Sequence, residues 1–190
     1  MPYFSLQDLR LLGEKVFGYQ LSLWQKQGYL VKIKNGLYAF EEELPNIKPE
    51  EIASLLYSPS YISLEKALSG YGFIPEMVYA VTAVTPRTTR RFKNKIGNFI
   101  YRHLKPALFF GYQEIRNDNF KYLLAEPEKA LLDFIYLNSH KMKSIEDVSA
   151  FRFNVKAMKK AISPKKMTNY LKLFNNPAMA KIIRLIMRER

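Results

Sequence analysis

An Asn-Gly pair between two apolar runs is the strongest short-range hairpin signal a chain can carry, and here it stands at Asn35-Gly36. Tyr29-Leu30-Val31-Lys32-Ile33 leads into a turn at Lys34-Asn35-Gly36, and Leu37-Tyr38-Ala39-Phe40 leads out of it. Two short helices are predicted ahead of the hairpin. Ser5 and Asp8 have the S-x-x-D spacing of a capping box, opening a helix that Gly13 ends. The second helix covers residues 18–27, with Leu21, Trp24 and Gly28 at the i, i+3, i+7 spacing of one packed face. Helix, turn, helix and β-hairpin in that order form the core of a winged helix, so residues 1–44 are predicted to be a small winged-helix-like module. Nothing ahead of Ser5 serves as the usual first helix. Either a later helix supplies that packing, or the module is reduced.

Glu41-Glu42-Glu43 and Pro45 read as a linker to the remainder. Pro49 suits helix position N1 and opens a helix through about Tyr57. In Pro59–Pro75, Ser63 reads as an N-cap, Leu64, Ala67 and Leu68 as one apolar stripe, and Gly72 as the helix stop. Tyr79–Thr85 is β-branched and alternating, which predicts a strand. Further strands are expected near Asn98–Leu104, Leu108–Ile115 and Phe120–Ala125, with a turn at Asn117-Asp118-Asn119. After Pro127, Ala130, Leu131, Phe134, Ile135 and Leu137 follow a helical period. Ser144 with Asp147, Ser163-Pro164 and Asn176-Pro177 each mark a later helix start. The predicted class is α+β: a winged-helix-like module over 1–44, a mixed domain with antiparallel strands over 45–137, and a basic helical tail over 138–190 packed against it.

The chain has 190 residues, 48% of them hydrophobic, so a packed core is expected and wholesale disorder is not. It has no cysteine, which excludes disulfides, thiolate metal sites and cysteine nucleophiles. The first residues lack a signal-peptide pattern, and no apolar run approaches the roughly 18 residues that span a bilayer. A cytoplasmic protein with no membrane partner is expected. The net charge of +13 is unevenly placed. Arg87, Arg90, Arg91, Lys93, Lys95, Arg102 and Lys105 occupy a stretch with no acidic residue between Glu76 and Glu114. From Lys141 onward, basic residues far outnumber Glu146, Asp147 and Glu189. Such clustering suits a polyanion or an acidic protein surface; a solubilising face is the plainer alternative.

Catalysis has little to work with. His103 and His140 are the only histidines, no Gly-rich phosphate loop or G-x-S-x-G elbow is present, and no H-x-x-x-H pair exists. Glu126, Glu128 and Asp133 raise the question of a nuclease metal site, but the residue two before Lys129 is proline, so the Glu-x-Lys spacing is missing. The expectation is a protein that is not an enzyme and needs no cofactor or metal. DNA contact has a clearer basis. With Leu21 and Trp24 inward, Ser22, Gln25 and Lys26 share the outward face of the second helix, where side chains reach base edges or phosphates. Lys32 and Lys34 place charge on the wing, beside backbone phosphate. The Arg87, Arg90, Arg91, Lys93, Lys95 run reads as a loop whose guanidinium forks suit phosphates or carboxylates, with Arg102 on the strand after it. An exposed, solvated connection is the alternative there.

The order of motifs resembles the AbiEi family of bacterial antitoxins across about residues 20–137. The chain carries Leu23-Trp24-Gln25-Lys26-Gln27-Gly28-Tyr29 running into the hairpin, the Pro59–Pro75 segment, and Val81-Thr82-Ala83-Val84-Thr85. Gly97–Leu104, Phe109-Phe110-Gly111-Tyr112 and Ala125-Glu126-Pro127-Glu128-Lys129-Ala130-Leu131-Leu132-Asp133 follow in register. The resemblance implies the antitoxin of a type IV toxin–antitoxin, or abortive-infection, pair, opposing a nucleotidyltransferase-like toxin encoded beside it. It implies that the winged helix represses the operon by binding inverted repeats in its own promoter DNA. On this chain Ser22, Gln25, Lys26, Lys32 and Lys34 occupy the recognition-helix and wing positions, while Arg87 to Arg102 fall in the antitoxin half. A free-standing winged-helix regulator without a toxin is the alternative, and RNA is a further candidate ligand of the basic tail.

Overall fold

The computed structural model describes residues 2–117 and 120–188. The expected turn at Asn117-Asp118-Asn119 has Asp118 and Asn119 outside them. The architecture is mixed α and β, with two sheets.

The N-terminal elements are β1 (Tyr3–Ser5), α1 (Leu6–Leu11), α2 (Gly18–Lys26), β2 (Leu30–Lys34) and β3 (Leu37–Phe40). Local chemistry sets their ends. The Ser5 hydroxyl accepts from Asp8 N–H at 3.1 Å while Asp8 accepts from Ser5 N–H at 2.7 Å, a closed capping box. Gly13 leaves the helix at φ 78°, a left-handed exit that glycine makes without strain. Asn35-Gly36 turns between β2 and β3, which pair antiparallel. β1 is unforeseen: three residues, too short for a periodicity, recruited by pairing with β3 to give the order β1-β3-β2. One face of this sheet packs Leu21, Leu30 and Tyr38 with Trp24 and Phe4. An apolar groove of about 550 Å³ lined by Tyr3, Phe4, Leu9, Leu12, Trp24 and Phe40 stays open on the module.

Residues 41–46 are a 3₁₀ turn rather than the linker expected from their charge. Leu44 and the buried Ile47 dock that turn on a core that Ile33, Leu37 and Ala39 of the small sheet share with α3 (Pro49–Leu56) and the large sheet. Thus α3 packs with the sheet residues Ile33, Leu37 and Ala39 and is absent from both the cluster around Leu21 and the lining of the open groove.

The large sheet comprises β4 (Tyr61–Ile62), β5 (Val81–Thr85), β6 (Arg90–Lys93), β7 (Asn98–His103), β8 (Tyr112–Asn117) and β9 (Phe120–Ala125), ordered β6-β7-β5-β4-β9-β8. It is mixed, since β5–β7 and β4–β9 are parallel, where the expectation named antiparallel strands. Two further expectations are corrected. Arg90–Lys93 is an edge strand on β7, not a loop; its charged side chains are the usual protection of a free edge. The strand expected from Leu108 starts only at Tyr112, after a 3₁₀ turn over Pro106–Leu108 and a left-handed Gly111 at φ 70°. A Cβ on Gly111 would lie 3.1 Å from Lys129 Cγ and 3.0 Å from the Tyr170 ring, so this position admits only glycine without rearrangement.

Side-chain alternation gives the sheet two different faces. Val81, Ala83, Phe99 and Tyr101 pack with α3 and the small sheet. Val84 belongs to the opposite core with α4 (Leu64–Gly70) and α5 (Pro127–Asn138). Helices α6 (Ile145–Ser149), α7 (Val155–Ala161), α8 (Pro164–Phe174) and α9 (Pro177–Arg188) add Val148, Met158, Met167, Phe174, Met179, Ile182 and Ile186 to that core. The helix α8 is fastened by Glu126, which accepts from Tyr170 Oη and from Lys166 Nζ at 3.0 Å. Burial pushes the Glu126 carboxyl up, but these two donors outweigh it and hold it below its ordinary value. A depressed acid contributes stability above its unfolded pKa and loses it as pH falls through the folded one. Tyr170→Phe is expected to cost about 1.5–3 kcal/mol at neutral pH, and the deficit should shrink to about 1 kcal/mol in acid once Glu126 is protonated. Urea melts at pH 7 and pH 3 measure it; an equal deficit at both would remove the carboxylate from the explanation.

Candidate functional site

On the N-terminal module, Ser22, Gln25 and Lys26 lie at i, i+3, i+4 on α2, away from the buried Leu21. The Ser22 hydroxyl donates to the Gly18 carbonyl at 3.0 Å and Gln25 Nε2 to the Leu21 carbonyl at 2.9 Å, so two of these side chains rest on their own helix. Lys32 is exposed on β2. Lys34 has a different setting from the exposed wing position expected for it. Its Nζ donates to the carbonyls of Leu55 and, at 3.2 Å, Leu56, at the negative end of α3. Burial there holds the Lys34 ammonium below its ordinary pKa.

The structure divides the arginine-rich run between two faces. Arg87 donates through Nη1 to the Ser58 carbonyl at 2.9 Å and lies 5.2 Å from the Tyr57 ring centroid. Arg90 lies over the same ring at 5.5 Å and over Phe92 at 5.9 Å. Tyr57 therefore carries two guanidinium groups, an anion-seeking arrangement beside the Phe99 face of the sheet. Lys95 pairs with Glu41 at 2.9 Å, tying this loop to the N-terminal module. Lys93 is exposed on the edge strand. His103 is a surface histidine whose ring nitrogen meets the Arg87 carbonyl at 2.9 Å.

Arg91 and Arg102 point to the other face, into a cleft of about 780 Å³. Thr82, Ile100 and Arg91 form one cross-strand row of its floor. The 3₁₀ turn after α5 supplies His140 and Lys141, the loop before β5 supplies Met77 and Tyr79, and Glu65 is the only carboxylate lining it among the described residues. Arg102 is braced at 3.3 Å by Asn138 Oδ1 and at 3.1 Å by the Leu137 carbonyl. By sequence His140 and Lys141 belong to a general basic tail and Tyr79 to a predicted strand; no one-dimensional signal links them to Arg91.

The carboxylates considered for metal do not converge. Glu126 is held by Tyr170 and Lys166, Glu128 accepts from Ser163 N–H at 2.7 Å, and Asp133 is enclosed with Lys129. Asp133 accepts from Tyr61 Oη and Ser63 Oγ, each at 2.9 Å, and Lys129 donates to Tyr61 Oη at 2.7 Å. Ser63 occupies the N-cap position of α4 but gives its hydroxyl to Asp133 rather than to the helix, and Leu64 follows at φ 60°. Burial, then the Asp133 charge, pushes the Tyr61 hydroxyl far above its ordinary pKa, so it serves as a donor and acceptor and not as a base. Among the described residues no helix is long and apolar enough to cross a membrane. No protein-family model matches this chain, and no curated protein matches it.

Proposed function

We propose that this chain is an AbiEi-type antitoxin of the cytoplasm that opposes a nucleotidyltransferase-like toxin encoded beside it and represses its own operon through the N-terminal module. The observation that carries this reading is the convergence of the motifs on which the resemblance rests. Tyr61 and Ser63 of Pro59–Pro75 bond to Asp133 of the Ala125–Asp133 motif, Tyr112 stacks on Tyr61 at 4.7 Å, and Phe109 packs tilted against it at 5.0 Å. Val81–Thr85 and Gly97–Leu104 lie side by side as β5 and β7. With β4 paired to β5, five of the six segments thus meet in one structural unit, which is what a shared domain requires. The β-α-α-β-β order with sheet order β1-β3-β2 supports a winged helix without its first helix. Its exposed lysines for DNA are Lys26 and Lys32, while Ser22 and Gln25 on the same face of α2 would have to leave their bonds to Gly18 and Leu21.

Co-expression of the intact chain with the adjacent gene tests the antitoxin half: growth should be arrested by the neighbour alone and restored by the pair. A neighbour that is harmless, or is not a nucleotidyltransferase, ends the reading. For the promoter, Lys26→Ala and Lys32→Ala should each lower the slope of log affinity against log salt by about one and leave growth rescue intact. Promoter affinity lost equally on replacing Arg87 or Arg90 would instead favour a free-standing regulator that uses its whole basic surface on DNA.

A further inference from the structure

The cleft on the Ile100 face combines two chemistries that a purely electrostatic surface does not need together. Arg91 stands opposite Ile100, and Arg102 lies two residues farther along β7. That diagonal places their backbones roughly 7–8 Å apart, close enough for both guanidinium groups to reach adjoining phosphates. Bracing by Asn138 and Leu137 fixes the Arg102 fork while leaving most of its N–H donors unused. Lys141 adds a third positive charge from the turn after α5. Among the described residues neither Arg91 nor Lys141 has an ion-pair partner, although opposite charges are paired at six places elsewhere. Arg91, Arg102 and Lys141 outnumber Glu65, the carboxylate in the lining, and concave walls around such an excess focus a positive potential on whatever enters. Tyr79, also in the lining, is 83% exposed, a flat ring that stacks on no other ring among the described residues. Simple anions and acidic side chains have no use for such a ring, whereas a nucleobase stacks on it. The cleft, at about 780 Å³, has the size of a small-molecule site and not of an extended groove.

We propose that this cleft binds a nucleoside polyphosphate, with Arg91, Arg102 and Lys141 on the phosphates and Tyr79 against the base. The site stands independently of the antitoxin reading, because its readout is ligand affinity and not growth. Titration calorimetry of the full chain at low salt would use ATP, inorganic tripolyphosphate and adenosine as probes. ATP should bind at submillimolar concentration. Arg91→Ala and Lys141→Ala, both at exposed positions, should each weaken it about fivefold to tenfold. Tyr79→Ala should weaken ATP about tenfold while leaving tripolyphosphate unchanged. Lys172→Ala, on the exposed face of α8, is the control and should change nothing. The proposal is overturned if ATP fails to bind at millimolar concentration, if Lys172→Ala weakens it as much as Arg91→Ala does, or if Tyr79→Ala leaves ATP affinity untouched. Competition with ATP by RNA carrying a 5′ triphosphate, but not by the same RNA with a 5′ hydroxyl, would make the bound group a strand end. Absence of that competition would make it the free nucleotide.

Discussion

Asp133→Ala should destabilise the protein by about 3–5 kcal/mol, the cost of leaving one partner of a buried ion pair alone. Lys129 and Asp133 both have side chains at 0% exposure. The Lys129 ammonium is closed off from bulk solvent, and the rings of Phe110, Phe174 and Tyr61 surround it at 5.0, 5.1 and 5.4 Å. Burial drives the Asp133 carboxyl up and the Lys129 ammonium down, each toward its neutral form, and their mutual attraction opposes both. With Asp133 gone, three aromatic faces and the Tyr61 hydroxyl are all that offset the charge, and Tyr61 and Ser63 lose their acceptor as well. Adding Lys129→Met to Asp133→Ala should recover a large share of the loss, since an uncharged chain of similar length removes the stranded charge. Urea titration of the wild type, the single variant and the double variant measures this. A single variant within about 1 kcal/mol of wild type, or a double variant worse than the single, would show that the pair does not hold the domain.

Phe99→Ala should cost about 3–5 kcal/mol, and it should unfold both ends of the chain at once. Phe99 is completely buried in the cluster that holds Ile33, Leu37 and Ala39 of the small sheet together with Ile52, Ala53 and Leu56 of α3. The cavity it leaves therefore faces the N-terminal module and the large sheet alike. Trp24 is the single tryptophan and packs in the cluster around Leu21, so its fluorescence reports on the N-terminal module alone. Far-UV circular dichroism reports mostly on the remainder. In urea the two signals should share one midpoint in the wild type and move together in Phe99→Ala. A fluorescence transition that stays where it was while the dichroism transition shifts would make residues 1–44 an independent module, contrary to the shared core.

Features set within a few residues were legible in the sequence. The Ser5–Asp8 and Ser144–Asp147 capping boxes both close, because each needs only an i, i+3 spacing and two short side chains. Gly72 ends α4 at φ 68°, with Phe73 N–H returning to the Leu68 carbonyl at 2.8 Å, for the same local reason. Where a residue had a local use and a distant one, the distant one was invisible. Ser63 looks like an ordinary cap, yet its hydroxyl serves a carboxylate seventy positions away. Lys34 looks like wing charge, yet the end of α3 takes it. β1, β4 and β6 are too short or too charged to carry a strand period, and only pairing with β3, β5 and β7 makes them strands.

By itself the amino-acid sequence determined the α+β class, the helix–helix–hairpin start, the helix starts at Pro49, Ser63, Pro127, Ser144, Ser163 and Asn176 but not that of α7 at Asn154, and the excess of positive charge. Each follows from backbone preference or from composition, which neighbouring residues settle among themselves. The tertiary structure decided that residues 1–44 share a core with the large sheet, and that Arg90 and Arg91, adjacent in the chain, serve opposite faces. It also decided that Arg91 meets Arg102, Lys141 and Tyr79 around one cleft. The physical reason is the pleat: alternation along a strand separates neighbours, and pairing across strands unites residues that the chain keeps far apart.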